Sequence, residues 1–152
     1  MKTAELKAEE VFRLRVDCPE EDRLAVGASD YGFLRCIQIR GGHFEGERIR
    51  GRVVPGGADW NTGFGSDDPN AFSCLHVFAK YLLQTDDGVY IGVENEGYIS
   101  KKSERPQIVT TPHFRAPRGK YEWLNYGAYA GSLSGSVVNG VRGVDIVIYR
   151  LL

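Results

Sequence analysis

Side chains alternate with a period of two along most of this chain, and no segment sustains a 3.6-residue period over three turns. That pattern belongs to strands with one buried and one solvated face. Phe12, Leu14 and Val16 share a face opposite Arg13 and Arg15, and Ile37 and Ile39 oppose Cys36 and Gln38. A third run, 49–54, is closed by Pro55-Gly56-Gly57. The longest run, 74–85, puts Leu75, Val77, Ala79, Tyr81 and Leu83 on one face, with Phe78, Lys80 and Leu82 on the other. Asp86-Asp87-Gly88 then turns the chain into 89–96, where Val89, Ile91, Val93 and Asn95 share a face. Asp-Gly between alternating runs predicts a tight antiparallel hairpin, because both central positions tolerate positive φ. Further strands are predicted over 108–114 with an irregularity at Pro112, over 121–133 with room for one helical turn at its start, and over 144–151. Residues 61–70, 101–106 and 135–143 read as loops, and residues 1–8 as a short helix or a frayed terminus.

Glycine supplies 19 of the 152 residues, against roughly 7% in an average protein. It is poor in helix interiors and common at turns and bulges, so the excess fits many strands joined by tight turns. A chain of this length buries roughly 70% of the surface its unfolded form exposes, enough for one core, and 1–152 reads as one domain. Eight or nine strands with short connections predict an all-β fold, a closed or nearly closed antiparallel barrel or else a sandwich. Closure removes exposed edges, and a barrel of about eight strands can hold one small ligand.

Charge and motifs exclude several functions. Lys and Arg number 19 against 20 Asp and Glu, a net charge of −1, and no basic stripe supports nucleic-acid binding. The longest apolar run, 144–152, is broken by Asp145 and Arg150 and cannot span a bilayer. No apolar signal segment follows Met1, and Cys18, Cys36 and Cys74 form no CxxC pair, so a reduced, cytoplasmic protein is expected. His43, His76 and His113 lack metal spacing, no serine sits in a GxSxG context, and no glycine-rich phosphate loop is present. No metal and no cofactor is therefore expected.

Two patches could carry chemistry. Pro55-Gly56-Gly57-Ala58-Asp59-Trp60 sets an acid beside a large aromatic after a turn. A carboxyl beside an indole can have a raised pKa and serve as general acid or base; equally, Asp59 can cap the next segment while Trp60 fills a barrel end. In Tyr121-Glu122-Trp123-Leu124-Asn125, a strand would put Tyr121, Trp123 and Asn125 on one face, a suitable wall for a flat, partly polar ligand. The alternative is that Trp123 is core and Asn125 satisfies neighbouring backbone. Tyr81 and Asn95 carry polar tips on apolar faces, where buried polar groups must find partners.

These motifs in this order resemble the family called domain of unknown function 3237, or uncharacterised protein family 0311. The resemblance rests on Gly41-Gly42-His43-Phe44-Glu45-Gly46, Ile49-Arg50-Gly51, the segment 55–60, Tyr81-Leu82-Leu83-Gln84-Thr85-Asp86-Asp87-Gly88, Thr111-Pro112-His113-Phe114 and 121–125. It covers about residues 9 to 152, and the chain departs from the family pattern at His43 and Arg115. It implies a barrel similar to those of allene oxide cyclases and dirigent proteins, which hold apolar or phenolic molecules. By that analogy Asp59, Trp60, Trp123 and Asn125 are favoured as pocket residues. Asp59 is thus the candidate catalytic acid or base, and Trp60, Tyr81, Asn95, Thr111, Tyr121, Trp123 and Asn125 are the candidate ligand-binding residues. The expected function is binding of a small apolar or phenolic molecule. A cyclisation, isomerisation or lyase step could be coupled to it; the alternatives are non-catalytic binding and a structural homo-oligomer using Phe78 and Leu82. The expected partner is a small-molecule ligand, with no nucleic acid and no membrane.

Overall fold

The computed structural model describes residues 1–102 and 108–152 and contains one ten-stranded sheet. Its strands are β1 (Ala8–Asp17), β2 (Arg23–Ser29), β3 (Gly32–Gln38), β4 (Gly41–Glu45), β5 (Arg50–Phe64), β6 (Cys74–Thr85), β7 (Tyr90–Ser100), β8 (Ile108–Arg115), β9 (Tyr129–Val138) and β10 (Val141–Leu151). Eight of them close into an antiparallel barrel in the order β5-β4-β1-β10-β9-β8-β7-β6, with β6 pairing back onto β5. The other two, β2 and β3, extend the wall: β3 pairs with the second half of β5, and β2 pairs with β3.

The predicted stop at Pro55-Gly56-Gly57 is instead a bulge through which β5 continues. From Val54 to Ala58 the chain advances four positions while its partner β6 advances only two, from Leu82 to Lys80. Pro55 is tolerated there because a bulge relieves it of a ladder hydrogen bond. Gly57 is required by close approach: a Cβ on it would lie 2.4 Å from the Tyr81 Cβ. Ile39 pins the bulge, donating its N–H to the Gly57 carbonyl at 2.8 Å and accepting from the Gly56 N–H at 3.1 Å. Past the bulge, β5 leaves β4 and takes β3 as its neighbour.

The hairpin forms, although Gly88 (φ +87°) and not Asp87 takes the positive φ, with Leu83 opposite Ile91, Tyr81 opposite Val93 and Ala79 opposite Asn95. Other expectations are corrected. Residues 61–64 belong to β5, and β2 carries no clear alternation that would have marked it. The loop expected over 135–143 is a hairpin between β9 and β10, turned by Asn139 (φ +49°) and Gly140 (φ +79°), the paired left-handed geometry that Asn-Gly favours. The helical turn allowed at the start of 121–133 does form, as a 3₁₀ turn over Glu122–Tyr126, but the strand after it begins only at Tyr129. Residues 1–7 form no helix, and the first strand starts at Ala8. The charged loop expected over 101–106 lies, from residue 103 on, outside the described residues. Among the described residues no helix is long and apolar enough to cross a membrane.

The barrel interior divides into two halves. One is packed solid by Phe12, Phe44, Leu83, Ile91, Phe114 and Ile148, with the Phe12 ring 5.6 Å from Phe44 and 5.7 Å from Phe114. Tyr121 and Leu124, buried beneath the 3₁₀ turn, join this core. The other half is open.

Candidate functional site

The bulge sets Asp59 and Asn61 on the inner face of β5. Next to them β3 places Arg35 opposite Asn61, and β2 places Arg23 one strand further out, opposite Ile37. Across the barrel wall, β6 holds the small side chain of Ala79 opposite both Asp59 and Asn95 of β7. Asp59 and Asn95 therefore stand at one level, two strands or roughly 10 Å apart, with only a methyl group between them. Thr110 enters from β8, opposite Gly131. With Ile37, Val77, Tyr81 and Ile146 these residues enclose a cavity of about 460 Å³. That lies within the range of small-molecule sites, roughly 300–1,000 Å³. Exposed Asn70, Lys101 and Arg142 are also among its lining and mark the mouth.

The electrostatics of the cavity centre on Asp59. Its Oδ1 accepts the Phe78 N–H at 2.9 Å, and its Oδ2 lies 3.4 Å from the Asn61 amide nitrogen. Arg35 donates to Asn61 Oδ1 at 2.7 Å. Burial nonetheless dominates, and it raises the Asp59 carboxyl above the ordinary aspartate range despite the hydrogen bonds and the nearby Arg35 charge. Burial likewise raises the Tyr81 phenol and the Cys18 thiol, so both stay protonated at neutral pH. Among the described residues, Asn95 Oδ1 and Thr110 Oγ1 are buried without a hydrogen-bond partner. Such atoms cost about 1–3 kcal/mol each when left unpaired.

A raised carboxyl has a sign for stability. The native state holds the Asp59 proton more tightly than the unfolded state does. Stability is thus lost as pH rises from the ordinary value of 3.8 through the raised folded-state value. Asp59→Asn is expected to raise the melting temperature at pH 7 and to lose that advantage near pH 3.5 to 4. Thermal melts of both proteins across this range provide the check, and a lower melting temperature for the variant at pH 7 would contradict the assignment.

The eight residues singled out from sequence separate in space. Asp59, Tyr81 and Asn95 line the cavity. Trp60 follows Asp59 on the strand, faces the other way beside Cys36, and is 49% exposed. Thr111 is exposed on the outer face, its hydroxyl 3.4 Å from the Glu96 carbonyl, whereas its neighbour Thr110 points inward. Tyr121, Trp123 and Asn125 sit at the opposite end of the barrel and do not share a strand face, because the 3₁₀ turn fans them apart. Tyr121 donates its phenol to Asp87 Oδ1 at 2.7 Å. Lys120 also bonds Asp87, and these bonds, led by the Lys120 contact, hold that carboxyl well below its ordinary range. Trp123 packs on the core beneath the Arg48 guanidinium, 4.5 Å from the ring centroid. Asn125 ties the turn to the end of β8, accepting the Ala116 N–H at 2.8 Å and donating to its carbonyl at 2.9 Å.

Sequence reading passed over Arg35, Asn61 and Thr110. A signal existed for two of them. Arg35 is in phase with Phe33, Ile37 and Ile39, so a cation interrupts an inward apolar face. Thr110 is in phase with Ile108 and Phe114, so the inward threonine is the one before Thr111. Asn61 was hidden because the bulge carried β5 through a segment that reads as loop.

A closed antiparallel barrel, solid at one end and hollow at the other, is thus the class of molecule these observations define. The chain belongs to the family described as Protein of unknown function (DUF3237), whose model matches residues 6–151. A UPF0311 protein of Rhodopseudomonas palustris is 34% identical over 125 residues, covering 73% of this chain and 78% of that one. Another, from Bradyrhizobium diazoefficiens, is 32% identical over 117 residues, covering 68% and 72%. The crystal structure of a β-barrel-like protein from Acinetobacter baumannii superposes with a TM-score of 0.79 at 28% identity, covering 99% of both chains. At 21% identity, a structure described as an enzyme from Penicillium herquei shares the fold with a TM-score of 0.70, covering 100% of this chain and 98% of that one.

Proposed function

We propose that the open half of the barrel binds one small, largely apolar or phenolic molecule, and that Asp59 exchanges a proton with it in a redox-neutral cyclisation, isomerisation or lyase step. The observation that carries this reading is a partly buried carboxyl, its pKa raised by desolvation, opening on a mostly apolar cavity. A neutral carboxylic acid can donate a proton to a bound substrate, and its conjugate base can remove one elsewhere on the same molecule. The cavity walls orient the substrate and keep bulk water from the reacting atoms. An enzyme in Penicillium herquei shares the barrel, which is compatible with catalysis but assigns none, since one fold hosts many functions.

Non-catalytic binding is the second reading. It is favoured by the Phe78 N–H bond, which already gives Asp59 a structural task.

The first test is a thermal-shift screen of apolar and phenolic compounds, since a ligand stabilises only the state it binds. Gly135 offers a clean control. It lies at the cavity rim, and a Cβ there would meet nothing within 4 Å. Gly135→Trp is therefore expected to keep the fold and to abolish the hits. Hits that survive the plug would place binding elsewhere. Compounds that bind are then followed for conversion by mass spectrometry and chiral chromatography. Asp59→Asn is expected to lower turnover by about 10²–10⁴-fold, the usual range for general acid–base catalysis, with little change in affinity. Unchanged turnover would leave only the binding reading, and a screen with no hits would remove both.

A further inference from the structure

The charges around the cavity are unequal. Among the described residues Asp59 is the only acid in its lining, whereas Arg23, Arg35, Lys101 and Arg142 are all there. Two of these cations are already answered by one carboxylate: Glu20 lies 3.0 Å from Arg23 Nη1 and 3.0 Å from Arg142 Nη1. Arg35 is not. Among the described residues no carboxylate lies within 4 Å of it; its partners are the neutral Asn61 amide and the face of Phe72, whose centroid is 5.0 Å from the guanidinium carbon. Its Nε, like that of Arg23, is buried with no acceptor. The nearest acid by register, Asp59, makes no salt bridge with it within 4 Å, and burial raises the Asp59 carboxyl while the Arg35 charge lowers it.

Position makes this arrangement more than a packing accident. Arg23 and Arg35 come from β2 and β3, the two strands that the closed barrel does not need. Those strands lengthen one wall beyond the ring and turn two guanidinium groups back over the opening. Phe72, only 3% exposed, supports them: it packs on Arg35 and against Gly63, where a Cβ would collide with the ring at 2.2 Å. A guanidinium fork held on an aromatic face, with an unmet donor beside an apolar cavity, is suited to bidentate capture of a carboxylate.

We infer that the molecule bound in the barrel carries a carboxylate, held at the mouth by Arg35 with Arg23 beside it, while its apolar body enters toward Asn95 and Thr110. This inference rests on the binding reading above and narrows it to amphipathic organic acids. The two polar atoms on the far wall would receive a hydroxyl or other polar group on the same molecule.

The test uses a panel of aryl- and alkylcarboxylic acids of increasing size, each paired with its methyl ester, titrated by calorimetry at neutral pH. The acids are expected to bind about tenfold to a hundredfold more tightly than their esters, the range of a charge-assisted hydrogen bond. That preference should shrink in high salt, disappear in Arg35→Met and survive in Arg35→Lys. The acid–ester comparison on the unaltered protein stands even where Arg35→Met fails to fold. Esters binding as tightly as acids, or a preference that persists in a folded Arg35→Met, would overturn the carboxylate assignment and leave barrel binding intact. No binding by either series would overturn the carboxylate assignment together with the reading beneath it.

Discussion

Gly42→Ala is expected to prevent stable folding, although it adds one methyl group. Gly42 lies in β4 opposite Val16 of β1. Its φ of +135° is a backbone conformation that side chains disfavour. A Cβ there would sit 1.9 Å from the Arg15 carbonyl oxygen and 2.9 Å from its carbonyl carbon. Both obstacles are backbone, so no rotamer change relieves them. Either β4 separates from β1 or the ladder shifts register, and β4–β1 is one of the eight seams that close the barrel. The loss should exceed about 4 kcal/mol, the range reserved for broken backbone geometry and core collapse. Circular dichroism and chemical denaturation measure it directly. Gly135→Ala is the matched control: its Cβ meets nothing within 4 Å, and it should remain within about 0.5 kcal/mol of the parent. A folded, stable Gly42→Ala protein would mean that β4 is not held where its register places it.

That contrast explains what the glycine excess does. Crowding of Gly41-Gly42, Gly46, Gly51 and Gly56-Gly57 ahead of Asp59 was visible in the sequence, and the structure uses much of it where backbones touch. Barrel strands 6, 7, 8 and 10 were also legible, because each has strict alternation and either a turn pair or an aromatic to mark its phase. The fate of β5 was not. Pro55-Gly56-Gly57 reads as a turn by local chemistry, and only pairing of Ile39 with both bulge glycines reveals that the strand continues. Non-local hydrogen bonds of this kind leave no local pattern. Strand β2 was lost for a related reason: it pairs only with β3 outside the ring, with most of its residues exposed, so no apolar alternation is demanded of it.

The site divides along the same line. Phase alone puts Tyr81 and Asn95 on the inward face, since each sits on a strand whose inward face is otherwise apolar, and both line the cavity. Asp59 reached the cavity for a reason the sequence could not supply. The two additional residues of the bulge keep it in phase with Val53, so it faces inward while Trp60 faces out. Tyr121, Trp123 and Asn125 do not share a face, because a 3₁₀ turn rather than a strand runs through them. The turn needs Asn125 as a clasp on Ala116 and Tyr121 as a partner for Asp87, both local structural tasks.

Phe12→Ala should expose the division of labour between the two halves of the barrel. Phe12 is 1% exposed and sits between Phe44 and Phe114 in tilted and edge-to-face contact. Around it every inward position is filled, so its removal loses the transfer free energy of a benzyl group and leaves a void that a closed ring of strands cannot collapse. A loss of about 3–5 kcal/mol is expected. Val77→Ala, on the wall of the existing cavity, removes atoms that already border open space. It should cost about 1 kcal/mol, near the low end for methyl deletions, while enlarging the pocket and changing which ligands fit. Paired denaturation and ligand-screening experiments distinguish the two outcomes. If Phe12→Ala were as mild as Val77→Ala, the solid half would not be what holds the barrel closed. The hollow half could then not be treated as freed for ligands, because a barrel that tolerates voids at both ends has no end dedicated to binding.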